Sequence, residues 1–222
     1  MSSHRPRTLE REAERSRLAA LLSKHGIRDA RVLEAIRNVP RHWFVPERLE
    51  GAAYDDDALP IGAGQTISQP YIVALMTEIL ELAPGEKVLE VGTGSGYQAA
   101  VLSELTPDVL TIEVLPEIAE RARSLFSLRG YGSIRSRTGN GWLGWPEEAP
   151  FDAVLVSAAP DEIPPALFAQ LKPGGRMSVP VGRSPAEQSL FLVRKEPDGT
   201  LAKERIAAVR FVPMTGEKGS GT

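Results

Sequence analysis

The stretch VLEVGTGSGY, residues 88–97, decides the fold of this chain. Its first four residues read as a buried strand, and they run directly into Gly92, Gly94 and Gly96 before a helix begins. Glycine allows a sharp backbone turn and lets a ligand approach without a Cβ in the way. The stretch therefore predicts a strand, a ligand-binding loop and a helix in succession, although a tight turn without a ligand could use the same residues.

The alternation of strand and helix continues toward the C-terminus. Strand-like segments are KVLEV, VLTIEV, IRSRT, DAVLVSAA, RMSVPVG, SLFLVRK and ERIAAVRFVP, and helices separate the earlier ones. Parallel strands need such crossover helices, whereas Asp198-Gly199 before the last segment indicates a hairpin turn. We therefore predict an α/β fold of the Rossmann-like, doubly wound kind, with a mostly parallel seven-stranded sheet, added N-terminal helices and an antiparallel C-terminal strand region.

The N-terminal part reads as two helices followed by a long loop. The spacing of apolar residues predicts helices over residues 8–24 and 29–38. Residues 41–70 are long for a connection and contain interleaved aromatic residues, which favours an ordered, functional loop. A further helix is expected to begin at Pro70.

Length and composition set further bounds. A chain of 222 residues can bury one substantial core, so we predict a single domain over 1–222, with N-terminal helices and a substrate loop in 1–69, the ligand-binding core in 70–215 and a flexible tail in 216–222. A net charge of −3 disfavours a nucleic-acid partner, and no apolar stretch approaches the roughly 20 residues that cross a bilayer. The N-terminal residues lack the apolar run of a secretory signal, and we expect a cytoplasmic monomer without a membrane partner. The absence of cysteine excludes thiol chemistry.

Two acidic residues distinguish the kind of ligand. The glycines alternate as G-x-G-x-G with Glu90 two residues before the first, and Glu113 ends the next strand about 20 residues beyond the loop. A carboxylate at that place can accept hydrogen bonds from both ribose hydroxyls, which nicotinamide cofactors also exploit. S-adenosylmethionine carries a sulfonium and an amino acid tail that Glu90 would attract, whereas the same carboxylate would repel a pyrophosphate. The pattern is typical of class I methyltransferases and favours S-adenosylmethionine over NAD.

The segment TGNGWLGW, residues 138–145, follows the third strand. Asn140 could pair there with the exocyclic amine of an adenine, and a plain Asn-Gly turn explains it equally well. We interpret Trp142 and Trp145 as packing anchors rather than stacking partners, because tryptophan buries a large area wherever it lies.

The stretch YDDDALPIGAGQTISQPYIVALM, residues 54–76, resembles the signature region of protein-L-isoaspartate O-methyltransferases, above all IGAGQTISQP at residues 61–70. The likeness continues through VLEVGTGSGYQAAVLSEL, FDAVLVSAAPDEIPPALFAQLKPGGRMSVPVG and RFVPMT, and it covers about residues 28–215. The resemblance implies methyl transfer from S-adenosylmethionine to the free carboxylate of L-isoaspartyl residues in damaged proteins and peptides, with D-aspartyl residues as a further candidate. The ester would start repair through a succinimide. A class I methyltransferase with another acceptor, or a nicotinamide-dependent oxidoreductase, is the alternative.

The same resemblance implies roles for individual residues. Ser68 matches the family's active-site residue. The cofactor, which leaves as S-adenosylhomocysteine, is expected to contact Thr66, Ile67, Gln69, Tyr71, Glu90, Gly92, Gly94, Gly96, Glu113, Asn140, Gly141 and Thr215. The family usually has aspartate where this chain has Asn140. An amide carbonyl can still accept a hydrogen bond from the adenine amine, but without charge assistance, so the departure bears on cofactor affinity rather than on reaction type.

Methyl transfer to a carboxylate needs little acid-base catalysis. An aspartyl-type carboxylate has a pKa of about 4 and is ionised at pH 7. The histidines at 4, 25 and 42 show no metal-ligand spacing, so we interpret them as structural or surface residues and expect no metal. We hypothesise that Ser68, near the positive end of the helix beginning around Pro70, donates a hydrogen bond that positions the substrate carboxylate. An N-cap role is the alternative for this serine.

Overall fold

The computed structural model describes residues 8–218 of the chain. Its N-terminal part contains α1 (Glu12–Lys24), α2 (Ala30–Asn38), β1 (Leu59–Gly62), β2 (Gln65–Ile67) and α3 (Pro70–Glu78). Two short 3₁₀ helices, Arg41–Phe44 and Glu47–Ala52, precede the β1–β2 hairpin. The long segment over 41–70 is therefore ordered, as its aromatic residues predict. His4 and residues 219–222 of the predicted tail lie outside the described residues.

Helix α1 begins at Glu12 rather than near residue 8, so the sequence prediction is wrong at this end. Arg11 has a φ of 49°, in the left-handed region, so the helix does not extend to the N-terminal side of Glu12. The carboxylate of Glu10 accepts a hydrogen bond from Trp43 Nε1 at 2.8 Å and contacts His42 at 3.2 Å. These residues before the helix are held by the segment after α2, a contact that no local pattern encodes.

The rest of the chain builds one seven-stranded sheet. Its strands are β3 (Lys87–Val91), β4 (Asp108–Glu113), β5 (Arg135–Thr138), β6 (Phe151–Val156), β7 (Leu171–Val181), β8 (Ser189–Lys195) and β9 (Leu201–Ala208). The crossover helices are α4 (Tyr97–Ser103), α5 (Pro116–Leu128) and α6 (Pro165–Ala169), and the 3₁₀ helices Gly141–Leu143 and Pro146–Glu148 follow β5. The strand order is β5-β4-β3-β6-β7-β8-β9. The first five strands in this order, β5, β4, β3, β6 and β7, pair in parallel, while β8 is antiparallel to both of its neighbours. This arrangement confirms the predicted fold class.

Strand β3 is the middle one of the five parallel strands, and its side chains are buried on both faces. Val88 points into the core beneath α1–α5, and Leu89 and Val91 point into the core on the α6 side. Such a strand reads as a continuous apolar run rather than an alternating one. The chain leaves β3 toward β4 on one side and later returns to β6 on the other. This reversal opens a crevice at the carboxyl ends of β3, β4 and β6, where ligands of open α/β sheets bind.

Within residues 8–218, no helix combines the length and the apolar character that crossing a membrane requires.

Candidate active site

A cavity of about 860 Å³ lies at this carboxyl edge of the sheet. Its walls include the loops after β3, β4, β5 and β6, the segment between β2 and α3, the connection between β7 and β8, and the C-terminal segment from the end of β9. The predicted site residues that line it are Thr66, Ile67, Ser68, Gln69, Glu90, Gly92, Gly94, Glu113, Gly141 and Thr215. Tyr71, Gly96 and Asn140 do not line it. The fold therefore brings the glycine loop and the Ser68 segment to one space.

The glycine loop is braced by the end of β4. Gly92 N donates to the carbonyl of Ile112 at 2.8 Å, and Gly94 N donates to Glu113 Oε2 at 2.9 Å. Glu113 Oε1 accepts from Leu115 N at 3.1 Å. The carboxylate predicted to bind ribose is thus already fixed by backbone amides, while each oxygen retains a second lone pair for a ligand.

Glu90 is completely buried at the floor of the cavity. Its Oε2 accepts a 2.6 Å hydrogen bond from the Thr111 hydroxyl, which itself lies 2.6 Å from the hydroxyl of Thr93. Burial raises the pKa of Glu90 to about 8, and the charge of Glu113 adds to this shift, while the Thr111 and Ser157 hydroxyls oppose it. A carboxyl without a cation beside it holds its proton in such a place. Oε1 makes no hydrogen bond of good geometry to any of residues 8–218.

Ser68 stands in the connection between β2 and α3, half-buried, with its side chain on the cavity. Its hydroxyl has no hydrogen-bond partner among residues 8–218, and the N-cap residue of α3 is Gln69. The alternative that Ser68 caps the helix is therefore wrong. Asp56 takes that function instead, because its carboxylate accepts from Tyr71 N at 2.8 Å and from Gln69 Nε2 at 3.0 Å. This anion also reduces the positive potential that the helix end offers to a substrate.

The predicted residues outside the cavity have identifiable structural contacts. The ring of Tyr71 lies edge-on to His25, with centroids 6.4 Å apart. Gly96 is the N-cap residue of α4 with a φ of 88°, and a Cβ there would lie 2.6 Å from Cε1 of Phe126. Asn140 borders the cavity through its neighbour Gly141, while its own side chain bonds to the backbone of Trp142 and Glu217.

One wall of the cavity was predicted only at Thr215. Residues 208–215 cross the sheet edge from the end of β9 and line the space, held by Gln188, whose side chain bonds to both the N–H and the carbonyl of Phe211. Ser157 at the end of β6 also lines it, and the rule that ligands bind at strand ends could have identified this residue. No sequence signal marks Gln188.

Other sequence interpretations concern residues near this edge. Trp142 is buried, and Trp145 packs against the core on the α6 side, so both act as packing anchors. His25 is the C-cap residue of α1. His42 is buried between the Tyr54 hydroxyl and Glu10. Both described histidines therefore have structural contacts.

This sheet order, with a glycine loop and two strand-end acids around one cavity, defines a class I methyltransferase. Comparison with known proteins places the chain more specifically than its fold class does. The model of the protein-L-isoaspartate(D-aspartate) O-methyltransferase family covers residues 13–219, and the chain belongs to this family.

Curated relatives agree over nearly full length. The chain is 56% identical over 208 residues to protein-L-isoaspartate O-methyltransferase 1 of Anaeromyxobacter sp., covering 93% of this chain and 97% of the relative. It is 53% identical over 201 residues to the protein-L-isoaspartate O-methyltransferase of Myxococcus xanthus, covering 90% and 95%.

Solved structures give the same result. A protein-L-isoaspartate O-methyltransferase superimposes with a TM-score of 0.83 at 31% identity, covering 92% of this chain and 66% of the other. A Plasmodium falciparum structure in complex with S-adenosyl-L-homocysteine has a TM-score of 0.78 and covers 92% of this chain and 99% of its own, but its 23% identity supports the fold alone.

Proposed function

We propose that this protein transfers a methyl group from S-adenosylmethionine to the free carboxylate of L-isoaspartyl residues, and of D-aspartyl residues, in damaged proteins and peptides. The observation that carries the proposal is the shared cavity, in which the glycine loop after β3 and the free hydroxyl of Ser68 line the same space. Membership of the family supports the acceptor. We further propose that it acts as a monomer on polypeptides rather than on nucleic acid, in line with its net charge of −3.

The residues of the cavity fit S-adenosylmethionine. When bound, this cofactor supplies a methyl group on a positively charged sulfur. Glu90 Oε1 is buried and makes no hydrogen bond of good geometry to any of residues 8–218, and such an oxygen is suited to a cationic or N–H donor of the cofactor. Glu113 lines the cavity at the sheet edge where ribose hydroxyls bind in this fold class. A pyrophosphate would instead meet two carboxyl groups.

The catalytic task of the chain is alignment. The acceptor carboxylate is ionised at pH 7 and needs no general base, so orientation and removal of water carry the rate, and oriented binding contributes about 7 to 11 kcal/mol in favourable systems. We assign Ser68 the donation of a hydrogen bond from its hydroxyl to the acceptor carboxylate. This serine needs no activation as a nucleophile. Asp56 holds the Ser68 segment from behind through Gln69 and Tyr71.

The ester made in this way prepares repair outside the cavity. The backbone nitrogen of the residue after the isoaspartate attacks the ester carbonyl, methanol leaves, and a succinimide forms. Its hydrolysis reopens the ring in part to normal aspartate. We therefore expect extended or unfolded segments as substrates. Residues 1–69 are proposed to hold the N-terminal helices and the substrate loop, 70–215 the methyltransferase core, and 216–222 a tail.

Paired peptides test this function directly. The protein is incubated with radiolabelled S-adenosylmethionine and two peptides that differ only in L-isoaspartate against L-aspartate. We expect label in base-labile ester on the isoaspartyl peptide alone. Equal labelling of the two peptides would exclude a repair enzyme, and the absence of heat on titration with S-adenosylhomocysteine would exclude the cofactor.

A further inference from the structure

The C-terminal segment is held to the end of β6 where it lines the cavity. Residues 208–215 form one wall of the site. Within this wall, Ala159 N donates to the carbonyl of Val212 at 2.9 Å, and Met214 N donates to the carbonyl of Ala159 at 2.8 Å. The chain continues past this wall as Gly216, Glu217 and Lys218, which contact the loop after β5. We name residues 214–218 the strap.

Asn140 makes the central contact with this strap. Its Nδ2 donates to the carbonyl of Glu217 at 2.6 Å, while its Oδ1 accepts from Trp142 N at 3.1 Å. The approach is so close that a Cβ on Gly216, whose φ is 107°, would lie 2.5 Å from Asn140 Oδ1. Lys218 adds a 2.7 Å ion pair with Asp161, on the exposed surface.

The amide is required for this contact, and a carboxylate could not make it. A carboxylate at position 140 could still accept from Trp142 N, but an ionised aspartate has no N–H to donate. Its second oxygen would then face the carbonyl of Glu217 across the present 2.6 Å separation. Two acceptors at that distance repel each other, so the strap would have to move away.

We propose that Asn140 is a positioning residue that fastens the strap over the cofactor end of the cavity and slows release of the cofactor product. The inference rests on the proposed function, because it takes the ligand beside Gly141 to be S-adenosylmethionine or its product. Asn140 Nδ2 holds the strap, and the next residue, Gly141, lines the cavity. Asn140 thereby joins the loop that borders the cavity to the C-terminal wall.

Two variants break the contact in different ways, and each has a matched control. Asn140→Asp removes the donor, and Gly216→Ala pushes the strap away without changing Asn140. Asn38→Asp makes the same chemical change at a residue that donates to Glu104 and does not line the cavity. Gly199→Ala introduces the same left-handed strain, at φ 85°, with no atom within 4 Å of the new Cβ.

The first measurement is hydrogen exchange of the Met214 amide, the strap N–H that donates a hydrogen bond, to the carbonyl of Ala159, in the cofactor-free protein. Loss of one hydrogen bond corresponds to about five-fold faster exchange, and we expect at least this in Asn140→Asp and Gly216→Ala, with wild-type rates in both controls. The second is stopped-flow dissociation of S-adenosylhomocysteine, which should be faster by a similar factor, with a higher KM for S-adenosylmethionine and a Tm near wild type. A purely structural role would instead lower the Tm and leave KM unchanged.

The outcomes separate this inference from the proposed function. An Asn140→Asp protein that binds S-adenosylhomocysteine more tightly, with unchanged exchange, would reduce Asn140 to an adenine contact and overturn the proposal. If Gly216→Ala does not fold, exchange in Asn140→Asp decides alone. A wild-type protein that methylates no isoaspartyl peptide, but whose strap loosens in both variants, would refute the activity and leave the fastening role in place.

Discussion

We predict that the protonation of Glu90 makes cofactor binding depend on pH. With a pKa of about 8 in the cofactor-free protein, about nine in ten molecules carry the neutral carboxyl group at pH 7. In the proposed complex, the cofactor places a positive amino group, and in the methyl donor also a positive sulfur, near this residue. A cation within reach of a buried carboxyl favours its charged form. Binding should therefore ionise Glu90.

The magnitude follows from the pKa. If Glu90 ionises fully in the complex, binding at pH 7 releases about 0.9 proton, and affinity rises about 50-fold from pH 6 to pH 8 before levelling off. The sign for folding is the opposite. The folded, cofactor-free protein binds the Glu90 proton more tightly than the unfolded chain, so its stability falls as pH rises from about 4.5 through about 8. As pH rises, ionisation of Glu90 thus lowers the stability of the cofactor-free protein while it raises the affinity for the cofactor.

Calorimetry with S-adenosylhomocysteine tests this expectation. Titrations at pH 6, 7 and 8 in two buffers of different ionisation enthalpy give both the affinity and the number of protons released. Glu90→Gln is the matched control, because it keeps the shape and cannot titrate, while the ligand's own amino group titrates equally in both proteins. The reasoning fails if wild type and Glu90→Gln show the same pH dependence and the same proton release.

Three further changes probe separate parts of the site. Ser68→Ala should lower kcat by about 10- to 100-fold, the range for a hydrogen bond to a charged group, with S-adenosylhomocysteine affinity within twofold of wild type; normal turnover would remove the assignment. Gly96→Ala should lower the Tm by about 4 to 10 °C, because its Cβ overlaps the ring of Phe126 away from the cavity, and an unchanged melting curve would contradict the packing. Arg210 is the one cationic side chain that lines the cavity within residues 8–218. Arg210→Gln should therefore abolish a preference of about two- to five-fold in kcat/KM for isoaspartyl peptides with acidic rather than basic neighbours, the range for an exposed ion pair; equal rates on both peptides in wild type would exclude it.

Local sequence patterns predicted the parts of the fold that depend on neighbouring residues in the chain, such as a buried strand and the turn that follows it. The apolar run of β3 followed by alternating glycines specifies a buried strand and a loop, whatever the rest of the chain does. The position of Glu113 follows from the parallel pairing of β3 and β4, which places successive strand ends side by side. Gly92, Gly94 and Glu113 line the cavity together, whereas Gly96 does not.

The side chains of Tyr71 and Asn140 escaped prediction because distant residues determine their contacts. Asp56 bonds to the backbone of Tyr71 across 15 residues, while the tyrosine ring lies against His25. Asn140 reaches Glu217 across 77 residues. A motif gives the identity of a residue and its approximate place on the sheet edge, but not the direction in which its side chain points. That direction depends on which partner the completed fold brings within hydrogen-bond distance.

Glu90 shows that the charge state of a site residue depends on the completed fold, even when the sequence predicts its place at the site. From the sequence alone, an acidic residue beside a glycine loop is expected to be ionised and to attract a cationic group. In the folded chain, burial and the neighbouring Glu113 keep it neutral at pH 7. In the cofactor-free protein, Glu90 and Glu113 are therefore not both charged at pH 7. If Glu90 ionises when a cationic ligand binds, as we predict, electrostatic attraction at this end of the site develops with binding, and a ligand without a positive group there gains nothing from it.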